Sequence, residues 1–232
     1  MKRELPASGL SLLPPPFNKL PDFDQTLIRQ SGLLRHVKKG EVISRPGDKS
    51  NYAYYLQMGW CSVSIEGHVT ELLAPTSVFM SSLTMHTPCW ADVIALSKTT
   101  LLCFELRTLR EVLERNPELA MRFIETTLQR VARAHVFYAL KGSQPVEQRI
   151  ADILWHVSTP TDEGTRIVPV SLTQAVLASL LGTTREEVNR KRQMLIKTGY
   201  LYEEGEHWYM DAMTPMLLSN MPASLTGRKL LR

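Results

Sequence analysis

A chain of 232 residues with 44% hydrophobic side chains has the apolar mass for a packed core and the length for two modest domains, which excludes a disordered protein. Its three cysteines, Cys61, Cys89 and Cys103, are odd in number and far apart, which excludes a disulfide framework and a zinc ribbon. The net charge of +4 is not carried by a tail: residues 142–232 hold ten basic and ten acidic side chains, yet Arg185–Lys197 within them holds five basic against two acidic, the footprint of a single groove-facing element.

Residues 1–16 read as a loose, proline-rich arm. Its apolar run is cut by Pro6 and by Pro14-Pro15-Pro16, so no secretory signal is expected there. A short helix follows over Asp24–Gly32. From Arg35 to Leu106 the chain becomes strand-like, in short runs (GEVISRPGD, YAYYLQMGWCSVSI, HVTELLA, ADVIALS, TTLLCFEL) separated by Gly, Pro, Asn and Asp. Strands this close together with no intervening helix form an antiparallel sandwich or barrel. Leu72–Ala91 lacks charge, but Pro75, Pro88, His86 and its hydroxyls make it no membrane span, and a cytoplasmic location is expected. A metal-holding barrel enzyme needs clustered histidines, whereas His36, His68 and His86 stand alone and only Glu71 lies near His68. No nucleophile–base arrangement, phosphate loop or paired-carboxylate motif emerges either. Neither an enzyme nor a bound metal is expected.

Leu106–Leu113 reads as a short helix, and Asn116-Pro117 starts a long one running to about Lys141. Ile124, Val131 and Tyr138 recur every seven residues along it, as in a helix–helix seam. The layer between them is either Ala120, Thr127 and Ala134 or Met121, Leu128 and His135, and hydrophobicity favours the second. Gly142-Ser143 with Pro145 reads as a hinge, Glu147–Val157 as a helix and Ile167–Val170 as a strand.

Ser171–Gly199 reads as two short helices around a tight turn at Gly182. Ser171 with Gln174, and Thr184 with Glu187, have capping-box spacing. Val176, Leu177, Leu180 and Leu181 form the inner face of the first helix, Val188 and Leu195 that of the second. Arg185, Glu186, Asn189 and Arg190 are left on an outer face, with Lys191 and Arg192 beside them. A helix fits the DNA major groove, where Arg and Asn side chains match base-edge donors and acceptors. Tyr200–Met210 then forms a hairpin turning near Gly205, and residues 212–232 form a tail.

The spacing T-Q-x(7)-G-T-T-R-E-E-V-N-R resembles the helix-turn-helix of the Crp/Fnr superfamily of bacterial transcription regulators. Thr173, Gln174, Arg185, Glu186, Val188 and Arg190 fall on its positions, and Arg192 departs from it where a buried Leu is usual. K-K-G-E-V-I-x(2)-P-G-D and Y-Y-L-x(2)-G resemble the opening of that family's β-roll. The resemblance implies an α+β protein: an N-terminal antiparallel, jelly-roll-like β-roll with its arm (1–115), a dimerisation helix (116–142), a C-terminal winged helix-turn-helix (143–211) and an extension (212–232). It further implies a homodimer on a palindromic operator in double-stranded DNA, with RNA polymerase as a further partner. The implied DNA contacts are Thr173, Gln174, Thr184, Arg185, Glu186, Asn189, Arg190 and Lys191. For the dimer seam it favours Ile124, Thr127, Val131, Ala134 and Tyr138. An iron–sulfur cluster of the kind some relatives hold is not expected, because the first 60 residues contain no cysteine.

Within that family the helix-turn-helix resembles most the cyclic-AMP receptor branch, which grips a cyclic nucleotide with a Gly-Glu pair, an Arg-Ser-Ala segment and two hydroxylated helix residues. Here the matching positions read Val78–Leu83, Pro88–Ala91 and Ala134-His135, and no Arg or Lys lies between Lys49 and Lys98. The candidate effector pocket is therefore Met80, Ser81, Ser82, Cys89, Trp90, Ala134 and His135, without a cation for a phosphate. Three readings follow: an uncharged or aromatic effector stacked on Trp90, no effector at all, or a response through Cys89 or His135. A sensor acting on a protein partner, its helix-turn-helix vestigial, is the alternative function.

Overall fold

The computed structural model describes residues 4–6, 13–49, 51–80, 87–143, 145–162, 164–169, 172–204 and 207–211. The chain forms two compact units, residues 1–128 and 129–232, which divide within one long helix.

The first unit is built from two antiparallel sheets. One runs β1-β2-β9-β4-β7, with β1 at Glu4–Pro6, β2 at Leu33–Val37, β4 at Tyr52–Met58, β7 at Val78–Met80 and β9 at Thr99–Glu105. The other runs β3-β8-β5-β6, with β3 at Val42–Ser44, β5 at Cys61–Ile65, β6 at His68–Leu73 and β8 at Asp92–Ala95. This is the antiparallel roll expected from the short, closely spaced strand runs. The arm is not wholly loose: Glu4, Leu5 and Pro6 pair with Arg35, Leu34 and Leu33 of β2. Proline is tolerated there because β1 is an edge strand.

β4 and β9 are covered on both faces, so successive residues, Ala53–Leu56 and Thr99–Phe104, are buried instead of alternate ones. Tyr54, Leu56, Leu101 and Cys103 point between the sheets with Val63, Phe79 and Val93. Ala53, Tyr55, Leu102 and Phe104 point the other way, against Phe17, Ile28, Leu109 and Val112. Phe17, in a short 3-10 helix (Phe17–Lys19), meets Tyr55 and Phe104 edge-on at 5.4 and 5.5 Å. The β4–β5 turn needs Gly59. Its φ is +93°, and a Cβ there would lie 2.5 Å from Thr99 Oγ1 and 2.6 Å from the Lys98 carbonyl oxygen.

The helical side comprises α1 (Asp22–Ser31), α2 (Leu106–Arg115) and α3 (Pro117–Ser143). Buried Asp24 ties α1 to the end of α2: Arg115 Nη2 lies 3.0 Å from its Oδ1, and Asn116 Nδ2 donates to its Oδ2 at 2.8 Å. Asn116 also donates to the Val112 carbonyl. Its side chain thus closes α2 and holds α1 at the residue that precedes α3. α3 starts at Pro117 as read from sequence, but it continues through Gly142 and Ser143, where a hinge was expected. One glycine lowers helix propensity by about 1 kcal/mol, too little to end a helix of this length.

The second unit comprises α4 (Val146–Val157), α5 (Gln174–Leu181) and α6 (Arg185–Lys197) beside an antiparallel sheet β10-β11-β13-β12. Those strands are Thr159–Pro160, Thr165–Val168, His207–Asp211 and Leu201–Glu204 in that order. Ile150, Ile153, Leu154, Leu177, Leu181, Val188, Leu195 and Met210 form its core. Val176 is only half-buried, and Ala178 takes its place on the inner face of α5. Among the described residues, no helix is long and apolar enough to cross a membrane.

Candidate nucleic-acid interface

α5 begins two residues later than the Ser171 box suggests. Thr173 is the N-cap, its Oγ1 accepting from the Val176 amide at 3.3 Å; Ser171 lies outside the described residues. Gly182 then adopts φ 64°, ψ 43°, and the Thr183 amide donates back to the Ala178 carbonyl at 3.0 Å. That left-handed close lets the chain reverse within three residues. Thr184 caps α6 as read, accepting from the Glu187 amide at 3.2 Å. The Glu187 carboxylate pairs with Arg190 one turn on.

Arg185, Glu186, Asn189 and Arg190 are all exposed on α6, whereas Val188 and Leu195 are buried. The two helices are pinned at this face, because Gln174 Nε2 donates to Asn189 Oδ1 at 3.0 Å. The Glu186 carboxyl is held below its ordinary value by its own backbone amide, then by the Thr184 hydroxyl and the Arg185 charge. It therefore stays an acceptor. Six of the eight suggested contact residues, Gln174, Thr184, Arg185, Glu186, Asn189 and Arg190, lie on or beside this face, and Thr173 lies at its edge.

Lys191 is turned elsewhere. Its ammonium lies 2.9 Å from Glu147 of α4, and both side chains are mostly buried. That bond, then Glu147's own backbone, lowers the Glu147 pKa. The helical period explains the placement: Lys191 lies three residues beyond buried Val188 and four before buried Leu195, on their side of α6.

Arg192 has a specific answer too. Its guanidinium pairs with Glu203 of β12 and sits 5.0 Å above the Trp208 ring of β13, with only 13% of the side chain exposed. Glu203 and Trp208 are cross-strand partners, so the hairpin presents a carboxylate and an aromatic face together. On this chain an ion pair and a cation–π contact bind α6 to the wing where an apolar side chain is usual. Tyr202 and Tyr209, the adjacent cross-strand pair, stack at 5.6 Å.

α4 supports the motif from behind. Buried Arg149 donates from Nη1 to the Leu181 carbonyl at 2.8 Å, closing the end of α5. Asp152, one turn on, is 1% exposed, and neither carboxylate oxygen has a hydrogen-bond partner among the described residues. Burial pushes its pKa up to about 7 from 3.8. Between those values the folded chain holds a proton that the unfolded chain has released, so stability falls as pH rises from about 4 to 7. Asp152→Asn removes that loss. Its advantage over the parent in thermal melts is expected to grow from pH 5 to pH 8 by about 4 °C; an advantage that does not change with pH would show that Asp152 is not the titrating group.

Models of two protein families match this chain, a cyclic nucleotide-binding domain over residues 34–116 and a Crp-like helix-turn-helix domain over residues 148–210. The chain belongs to the Crp/Fnr family of transcription regulators. The transcriptional activator protein FnrL of Cereibacter sphaeroides is 22% identical over 191 residues, 77% of this chain and 76% of that protein. Similar solved structures include FixK2 from Bradyrhizobium japonicum (18% identity, TM-score 0.69, 83% of this chain and 98% of that one). The CLP regulator of Xanthomonas campestris, described as responsive to c-di-GMP, superposes with a TM-score of 0.65 at 15% identity over 82% of this chain and 99% of its own. The structures share the α+β fold, and the family makes this Crp/Fnr chain a DNA-binding transcription regulator.

In this Crp/Fnr regulator three of the seven suggested effector residues, Met80, Cys89 and Trp90, are described within the first unit. Met80 does not face the interior of the roll: alternation along β7 sends Val78 and Met80 to the helical side and Phe79 between the sheets. Cys89 is buried, its backbone bonded to the Gly47-Asp48 turn, and Trp90 beside it is 46% exposed. Ser81 and Ser82 lie outside the described residues, while Ala134 and His135 belong to the second unit. No three His, Cys, Asp or Glu residues come close enough to hold a metal ion among the described residues.

Along α3 an apolar stripe is left uncovered: Met121 (55% exposed), Ile124 (48%), Leu128 (62%), Val131 (46%) and Tyr138 (75%). Their spacing of three, four, three and seven residues keeps them on one side of the helix. Thr127 instead lines a cleft against the roll, and its Oγ1 donates to the Phe123 carbonyl at 2.8 Å.

Proposed function

We propose that this regulator acts as a homodimer on a two-fold-symmetric operator, reading bases with the first two turns of α6. The observation that carries the reading is the exposed Arg185-Glu186-Asn189-Arg190 face at the leading end of a helix capped at both ends and pinned to its neighbours. Arg185 supplies bidentate donors for a guanine, ionised Glu186 accepts from a cytosine amino group, and Arg190 exchanges Glu187 for a base or phosphate. Thr173 and Thr184, at helix N-termini, are suited to phosphate oxygens. The seam of α3 supplies the two-fold partner, with Met121 and Leu128 as the layer between Ile124 and Val131. Such a dimer works in the cytoplasm beside RNA polymerase.

Fluorescence anisotropy on a duplex carrying an inverted repeat tests this reading. Two chains per duplex are expected, with an affinity that falls steeply as salt rises, by about a hundredfold or more between 50 and 200 mM. Salt-independent or one-chain binding would favour a sensor acting on a protein partner.

The sensor unit works without a cyclic nucleotide. A cyclic phosphate carries a full negative charge, and a buried unpaired ion is costly. The matching segment offers buried Cys89 and no Arg or Lys between Lys49 and Lys98. Calorimetry with cyclic AMP and cyclic GMP is expected to show no micromolar binding. Micromolar binding that also tightens operator affinity would overturn this part of the reading.

A further inference from the structure

Where the N-terminal segment crosses the helical side of the roll, Pro16–Leu20, the end of α2 and the first turns of α3 enclose a cleft of two joined lobes. The inner lobe, about 60 Å³, is walled by Phe17, Val78, Leu109, Leu113 and Phe123. The outer lobe, about 340 Å³, is walled by Lys19, Arg115, Arg122 and Glu118. Leu119 and Arg122 line both. An apolar recess thus opens directly onto a cationic vestibule.

The vestibule's charge selects an occupant. Arg115 is matched by buried Asp24 at 3.0 Å, and Arg122 faces Glu118 at 2.6 Å in an exposed, readily exchanged pair. Lys19 is exposed and takes part in no ion pair among the described residues. Three cations against these two carboxylates leave a net charge of +1. That balances a monoanion and leaves a phosphate dianion uncompensated.

We propose that this cleft binds a small amphipathic carboxylate, the end of its apolar tail in the inner lobe and the rest of it in the outer lobe, with its head between Arg122 and Lys19. Arg122 is suited to the head because its planar fork takes both carboxylate oxygens. The site is separate from the roll interior, and its occupancy acts directly on α3. Leu119, Arg122, Phe123, Thr126 and Thr127 face the cleft, while Met121, Ile124 and Leu128 on the same turns form the uncovered stripe. Thr126 and Thr127 donate to the carbonyls of Arg122 and Phe123 at 2.8 Å, a bonding pattern that lets a helix bend.

Calorimetry on the full chain with octanoate, octanol and acetate tests the assignment without DNA, so its failure leaves the operator reading untouched. Octanoate is expected to bind below 1 mM on the order of tenfold tighter than octanol, with acetate weaker still, since charge-assisted bonds add to tail burial. Arg122→Gln, at a largely exposed position, should weaken octanoate about tenfold and leave octanol unchanged. Thr126→Trp, also exposed, should occlude both ligands while the circular dichroism spectrum is retained. Equal binding of octanoate and octanol, or octanoate binding indifferent to Arg122→Gln, would overturn the proposal. So would no octanoate binding at all, the result expected if residues 7–12 or a second copy fill the cleft.

Discussion

Val131→Asp converts the protein to a folded monomer and lowers operator affinity by about a hundredfold or more. Val131 is 46% exposed on α3, so in a single chain the carboxylate stands in water and costs the fold little. In a two-fold dimer the same position meets its symmetry mate. Two carboxylates must then share one desolvated site, where each unpaired charge costs several kcal/mol. Met121, Ile124, Leu128 and Tyr138 are left without cover, and a stripe of that size is already unusual on a monomer. Sedimentation at micromolar concentration reads the assembly state, and circular dichroism confirms that the chain stays folded. A variant that sediments as the parent and still binds the full inverted repeat would mean that the seam lies elsewhere.

Arg185→Ala loses about 1–3 kcal/mol of operator affinity and relaxes one base position in each half-site. Arg185 is the first residue of α6, exposed, and close enough to Glu186 to lower its pKa. No core contact is lost when it is truncated, so thermal stability should stay within about 0.5 kcal/mol of the parent. Lys191→Ala should behave in the opposite way. It removes the 2.9 Å bond between α6 and Glu147, so it lowers stability and leaves base preference unchanged. Binding profiles over single-base variants separate the two. If Arg185→Ala weakens every sequence equally, Arg185 touches phosphate alone.

Much of this regulator was legible in its sequence, for local reasons. Helix caps, the Gly182 turn and the 3.6-residue period are encoded within a few residues of where they act, which is why α5, α6 and α3 were read nearly to their ends. The strand runs were equally plain, because Gly and Pro punctuate them. What sequence reasoning missed was decided at a distance. Asp24 meets Asn116 across 92 positions, and nothing near either residue announces that bond. Glu203 and Trp208 become a seat for Arg192 only once the wing hairpin sets their register. The fates of Lys191 and Met80 turned on side-chain direction. Helical and strand periods fix that direction, but only after the covering elements are known. β1 was missed because three residues containing a proline carry no strand signal, and an edge partner supplied it.

The central claim, a dimer reading DNA through paired α6 helices, is tested most directly by selection of bound sequences from a random duplex library with the purified chain. The expected result is an enriched inverted repeat whose half-site centres lie about one helical turn, 10–10.5 base pairs, apart. A guanine preference in each half-site should disappear with Arg185→Ala. Enrichment without two-fold symmetry, or no enrichment over the starting library, would contradict it.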